Sequence, residues 1–179
     1  MKKSVKAHDL TFVPYLSGKE IAARVKKLGN QLHQDFKGKQ PLFIGVLNGA
    51  FVFMSDLVRA CDLPCEIAFV RLNSYAGLAS SGEVTTAMSL NLDIADRHVI
   101  IVEDIVDSGR TLYQFVEDLK KMKPASVSLA VLLLKPEALE FPVEIQYLGF
   151  EIPNKFVIGY GLDFDGLGRE LKGVYQLKK

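Results

Sequence analysis

An α/β fold, with a mainly parallel sheet flanked by helices, is what this sequence predicts. Three features predict it. Short apolar runs alternate with segments of helical periodicity. Those runs are apolar at nearly every position, as strands buried on both faces are. The strongest run, residues 99–102, passes straight into a small glycine-punctuated turn and then a helix.

The elements follow in order. Ser17-Gly18-Lys19-Glu20 has the form of a capping box, and Ile21, Val25, Leu28 and Leu32 continue it as a helical stripe that Gly38 closes. Residues 41–47 read as a buried strand, which Asn48-Gly49 breaks. Phe51, Met54, Leu57 and Val58 suggest a second helix, and residues 65–71 a further strand. Residues 74–86 are small, polar and poor in apolar anchors, a long loop of the kind that is usually functional, with a short strand expected at 88–92. After the strand at 99–102, Leu112, Phe115, Val116 and Leu119 mark a helix over 111–122. Strands are expected at 127–134, 143–150 and 156–160. The two ends do not fit the alternation and are expected to form a small cap.

Composition bounds the function. The chain has 179 residues, 49% apolar and 24% charged, which are ordinary globular values and suit one domain over 1–179. The net charge is +1, from 22 Lys+Arg against 21 Asp+Glu, so no global field steers it to nucleic acid. No apolar run approaches the roughly 20 residues that span a bilayer. The basic start lacks the apolar stretch of a signal peptide, since His8 and Asp9 stand there. Cys61 and Cys65 have neither redox nor zinc spacing and read as two reduced thiols. Together these features predict a cytoplasmic protein with no membrane and no nucleic-acid partner.

Chemistry concentrates in Glu103-Asp104-Ile105-Val106-Asp107-Ser108-Gly109-Arg110-Thr111, which follows the strongest strand. Ligands of open α/β sheets bind at the carboxyl ends of the strands. Amides at a helix start favour an anion, Ser108 and Thr111 add hydroxyls, and Gly109 allows close approach, so residues 107–111 read as a phosphate cradle. Three carboxylates in the same loop need hydroxyl donors or positive charge. A phosphorylated, polyhydroxylated ligand with a divalent metal satisfies both, and a sugar phosphate is such a ligand. No G-x-G-x-x-G follows a strand, and the one Walker-like glycine spacing has Val174 where Lys is required.

Residues 99–112 resemble the phosphoribosyl-pyrophosphate motif of type I phosphoribosyltransferases without a break. Within that superfamily the chain most resembles hypoxanthine(-guanine) phosphoribosyltransferases, over about residues 12–174. Leu47-Asn48-Gly49-Ala50 stands at the family's pyrophosphate loop, and Leu132-Leu133-Leu134-Lys135 resembles the strand whose terminal lysine meets the purine. Residues 156–163, with Arg169, resemble the family's hood. The resemblance implies the type I phosphoribosyltransferase fold, with a core over about 38–150 and a hood from about 1–16 and 151–179.

It also implies ribosyl transfer from phosphoribosyl pyrophosphate to N9 of hypoxanthine or guanine, giving IMP or GMP and pyrophosphate, with Mg²⁺. By that resemblance Asp107 exchanges a proton at purine N7. Glu103 and Asp104 hold the ribose hydroxyls, directly or through Mg²⁺. Asp107, Ser108, Gly109, Arg110 and Thr111 bind the phosphoribosyl group. Asn48, Gly49 and Arg169 meet pyrophosphate. Lys135, Phe156, Val157 and Asp163 surround the purine, and Asp163 also ligates a second Mg²⁺. Ser74 and Tyr75 open a loop that closes over the site.

One position departs from the pattern, because Asn48 stands where the family often has Lys. The peptide bond before it is commonly cis in the family, and Leu47–Asn48 is expected to be so here. A homodimer or homotetramer is implied. Two other readings stay open: a phosphoribosyl-pyrophosphate-sensing regulator, and a superfamily enzyme acting on another base such as xanthine. Lys135 argues against adenine, which lacks an O6 acceptor.

Overall fold

A computed structural model of the chain describes residues 3–72 and 93–178. The expected loop at 74–86, with Ser74 and Tyr75, and the expected strand at 88–92 lie outside the described residues. In chain order the elements are β1 (Val5–Ala7), β2 (Leu10–Leu16), α1 (Gly18–Phe36), β3 (Leu42–Leu47), α2 (Phe51–Cys61), β4 (Glu66–Arg71), β5 (His98–Val106), α3 (Arg110–Lys121), β6 (Ser126–Leu134), a 3₁₀ turn (Pro136–Ala138), β7 (Tyr147–Glu151), β8 (Val157–Ile158) and β9 (Val174–Leu177).

Five of the predicted apolar segments pair in one parallel sheet, in the order β4-β3-β5-β6-β7. Its central strands β3, β5 and β6 are covered on both faces, which explains their unbroken apolar runs, while Ile67 and Phe69 of the edge strand β4 are exposed. Alternate residues serve the two faces. Phe43, Ile100, Val102, Ala130 and Leu132 pack with α1 and α2, through Leu28, Leu32, Phe53 and Leu57. Leu42, Ile44, Val99, Ile101, Leu129 and Val131 pack with α3, through Leu112, Phe115 and Leu119.

Helix α1 begins as its sequence predicts. Glu20 N–H donates to Ser17 Oγ at 3.2 Å, and Ser17 N–H donates to Glu20 Oε2 at 2.8 Å. Such a reciprocal cap contributes roughly 0.5–2 kcal/mol. Cys61 and Cys65 are free. Burial pushes the Cys61 thiol up to about 12, so it stays protonated. Among the described residues, no helix is long and apolar enough to cross a membrane.

Three boundaries differ from expectation. β5 runs on to Val106, because its ladder with β6 continues through Glu103↔Val131, Ile105↔Leu133 and Val106↔Leu134. Glu103 and Asp104 therefore lie on a strand rather than in a loop. β7 starts at Tyr147 instead of 143, since the Gln146 side chain accepts the Leu129 amide at 2.8 Å just before Ala130 pairs with Tyr147. The strand expected over 156–160 is only Val157–Ile158. Positive φ at Gly159, Tyr160 and Gly161 (106°, 50° and 103°) then turns the chain.

The chain ends form a separate antiparallel sheet, β1-β2-β9-β8, as the expected small cap. Ala7, Phe12, Ile158 and Tyr175 are its core. A register shift between Pro14 and Leu16 interrupts β2, which is why the segment does not read as a strand.

Candidate active site

Three strands end side by side, and the residue after each carries a polar group. β3 leads to Asn48, β5 to Asp107 and β6 to Lys135. The pairing of Val106 with Leu134 sets the next two residues beside each other. Lys135 Nζ donates to Asp107 Oδ2 at 2.8 Å, and the Lys135 amide donates to the Val106 carbonyl at 3.0 Å. The lysine is buried, while the aspartate is 57% exposed. The pair is a fixed cation with an acceptor open to the cavity.

Glu103 and Asp104 are consecutive on β5 and so point to opposite faces of the sheet. Glu103 lines a cavity of about 260 Å³ that runs from Val46 and Leu47 past Asp107 to Thr111. Its Oε2 is buried with no hydrogen-bond partner among the described residues. Burial, and then the neighbouring Asp104 charge, holds the Glu103 carboxyl well above the usual carboxylate range. Burial raises Asp104 too, against the opposing effects of the neighbouring Glu103 carboxyl, the Ile105 amide on its Oδ1 at 2.9 Å and the Arg169 charge. A buried acceptor without a donor is costly, so this end of β5 is built for a ligand that brings hydroxyls or a cation.

Asp104 faces the turn after β3. A Cβ on Gly49 would lie 1.6 Å from Asp104 Oδ2, so only glycine fits against that carboxylate. A Cβ on Gly161 would lie 2.1 Å from the Gly49 carbonyl oxygen. Arg169 Nη1 donates to the Gly161 carbonyl at 2.7 Å, and its Nη2 pairs with Asp163 Oδ1 at 2.7 Å. One line of contacts thus joins Asp104, Gly49, Gly161 and Arg169. The Leu47–Asn48 peptide is cis.

The cradle is a turn closed by Gly109 at φ 79°, the cap of α3. The Ser108 carbonyl accepts the Glu140 and Phe141 amides at 3.0 and 3.1 Å, which pins the turn from outside. The first helical bond runs from Tyr113 to Gly109, so the Thr111 and Leu112 amides face the turn. Ser108 Oγ accepts from the Arg110 amide at 3.4 Å, and the Arg110 guanidinium lies over the Phe141 ring at 5.3 Å.

On the hood side, Phe156 is 44% exposed and packs edge-to-face against Phe164 at 5.6 Å, which leaves ring surface free. Val157 is buried in β8. Asp163 is held by Arg169 and accepts the Gly166 amide at 2.8 Å. Among the described residues, no three carboxylate, imidazole or thiol groups converge on one point, so Glu103, Asp104 and Asp163 do not form one cluster. Sequence reasoning missed Arg71, whose Nη2 donates to Asn48 Oδ1 at 3.1 Å, and the part played by Gly161. Arg71 was findable, being the last residue of a predicted strand beside the one that ends at Leu47.

Known proteins resemble this chain over most of its length. The phosphoribosyl transferase domain family covers residues 14–165. The hypoxanthine-guanine phosphoribosyltransferase of Dictyostelium discoideum is 46% identical over 166 residues, which is 90% of this chain and 92% of that protein. The chain belongs to the hypoxanthine-guanine phosphoribosyltransferase family. Another member, from Streptococcus pneumoniae, is 41% identical over 180 residues, covering 100% of this chain and 94% of its own. The crystal structure of a hypoxanthine phosphoribosyltransferase from Staphylococcus aureus superposes with TM-score 0.87 at 38% identity, over 92% of this phosphoribosyltransferase and 90% of the other.

Proposed function

We propose that this phosphoribosyltransferase moves the 5-phosphoribosyl group from phosphoribosyl pyrophosphate to N9 of hypoxanthine or guanine in purine salvage, releasing pyrophosphate. The Lys135–Asp107 pair is the observation that carries this reading. A 6-oxopurine presents an O6 acceptor next to N7 on one edge. A buried ammonium beside an open carboxylate, 2.8 Å apart, complements that edge when N7 bears a proton.

The 5′-phosphate is read as resting on the amides and hydroxyls of 108–111, with the ribose hydroxyls donating to Glu103 and Asp104. Pyrophosphate lies against Asn48, Gly49 and Arg169. Phe156 stacks on the purine, and the backbone at Val157 borders its edge. As the C1′–O bond to pyrophosphate breaks, positive charge develops on the ribose, near the carboxylates of β5. N9 forms the new bond to C1′, and the N7 proton passes to Asp107.

The donor set suits Mg²⁺, which binds through one or two carboxylates together with substrate oxygens and water. The unpartnered Glu103 Oε2 and the Asp104 carboxylate would hold one ion, and Asp163 is the candidate for a second. When bound, the ion neutralises phosphate charge and orients the ribose. We further assign the enzyme to the cytoplasm, where two free thiols are at home, as a homodimer or homotetramer.

The test is pyrophosphate release from phosphoribosyl pyrophosphate with hypoxanthine, guanine, xanthine, adenine and uracil in turn. Activity confined to the 6-oxopurines supports the reading; preference for adenine or uracil rejects it. Lys135→Ala is expected to lower kcat/KM for hypoxanthine about 10–100-fold, the loss of a charged donor to a buried oxygen costing roughly 1.5–3 kcal/mol. Wild-type use of hypoxanthine by that variant would move base recognition elsewhere.

A further inference from the structure

The basic side chains around the site are not equivalent. Lys135 faces Asp107 at 2.8 Å and Arg169 faces Asp163 at 2.7 Å, so each is already matched by a carboxylate. Arg110 lies over an aromatic ring. Arg71 differs, because its contact is the neutral amide of Asn48, at 3.1 Å, and it forms no ion pair among the described residues. Its place is fixed by the backbone. β3 and β4 pair in parallel with Leu47 opposite Arg71, at the carboxyl end of the sheet. The guanidinium is therefore level with the turn Asn48-Gly49, which has no cationic side chain of its own. It is also exposed.

We propose that Arg71 is a further binding residue for the pyrophosphate end of the sugar phosphate, and that Asn48 is its positioning residue. The proposal rests on the reading above for what the ligand is. A pyrophosphate carries several negative charges, which call for a cationic partner that no carboxylate already matches. A planar guanidinium offers five donors, of which the Asn48 contact engages one nitrogen. The Asn48 carbonyl oxygen orients the fork without neutralising it. An acidic residue at 48 would quench the charge, and a basic one would push it away.

The experiment compares wild type with Arg71→Gln, Arg71→Lys and Asn48→Ala. Binding of inorganic pyrophosphate is measured by calorimetry, and KM and kcat are measured with hypoxanthine. Arg71→Gln is expected to weaken pyrophosphate binding and raise the KM for phosphoribosyl pyrophosphate by about tenfold or more, as loss of a charge-assisted hydrogen bond does. The kcat and the KM for the base should stay near wild type. Arg71→Lys should recover part of the affinity, and Asn48→Ala should show a smaller loss of the same kind. Unchanged pyrophosphate affinity in Arg71→Gln, a fall in kcat alone, or no recovery with lysine would overturn the assignment. If wild type binds pyrophosphate through Arg71 yet transfers ribosyl to no base, the assignment stands and the purine-transfer reading fails.

Discussion

Asp107→Asn is expected to lower turnover by about 10²–10⁴-fold while leaving the KM for phosphoribosyl pyrophosphate nearly unchanged. Asparagine keeps the shape of the side chain, and its amide oxygen can still accept from Lys135, so the base pocket survives. It cannot take the N7 proton. The side chain is more than half exposed and stands at the end of β5, so little of the fold depends on its charge. Steady-state kinetics across pH, with hypoxanthine as acceptor, is the measurement. Near-normal kcat would show that the proton leaves by another route.

Gly49→Ala is the second large effect. The added methyl carbon would sit 1.6 Å from Asp104 Oδ2 and 2.4 Å from its Cγ. Asp104 has a short side chain anchored by the Ile105 amide, so it cannot give way without leaving its place. The expected outcome is a rise of about 10²-fold in the KM for phosphoribosyl pyrophosphate, with a stability loss of roughly 1–3 kcal/mol, the usual cost of overfilling a packed site. Kinetics paired with thermal melting checks it. A variant with wild-type KM would mean that the Asp104 carboxylate need not occupy its observed place.

The parallel sheet was legible because its central strands are buried on both faces and so carry unbroken apolar runs. The cradle at 107–111 was legible because its residues are contiguous. What escaped sequence reasoning is what depends on pairing across the chain. That β5 extends to Val106 could not be read from its own residues, since Glu103 and Asp104 are poor strand formers held by β6. The strands of the hood are short, and β2, broken at Pro14, is defined by its pairing with β9 at the other end of the chain. The Lys135–Asp107 contact follows from register, and local patterning is silent on register. Gly161 looked like one glycine among several until its neighbour proved to be the Gly49 carbonyl.

That neighbour has a wider consequence. Gly161 lies in the turn after β8 of the hood and Gly49 in the turn after β3 of the central sheet, and the two backbones meet with no side chain between them. Arg169 grips the outer end of this stack and Asp104 lies at its inner end. Elsewhere the hood packs on the core through the side chains of Val157, Tyr160, Leu162 and Val174. Here backbone bears directly on backbone, so a strain introduced in the terminal strands is transmitted to the sugar end of the site. The base end, where Phe156 stands clear of that point, is the part free to vary.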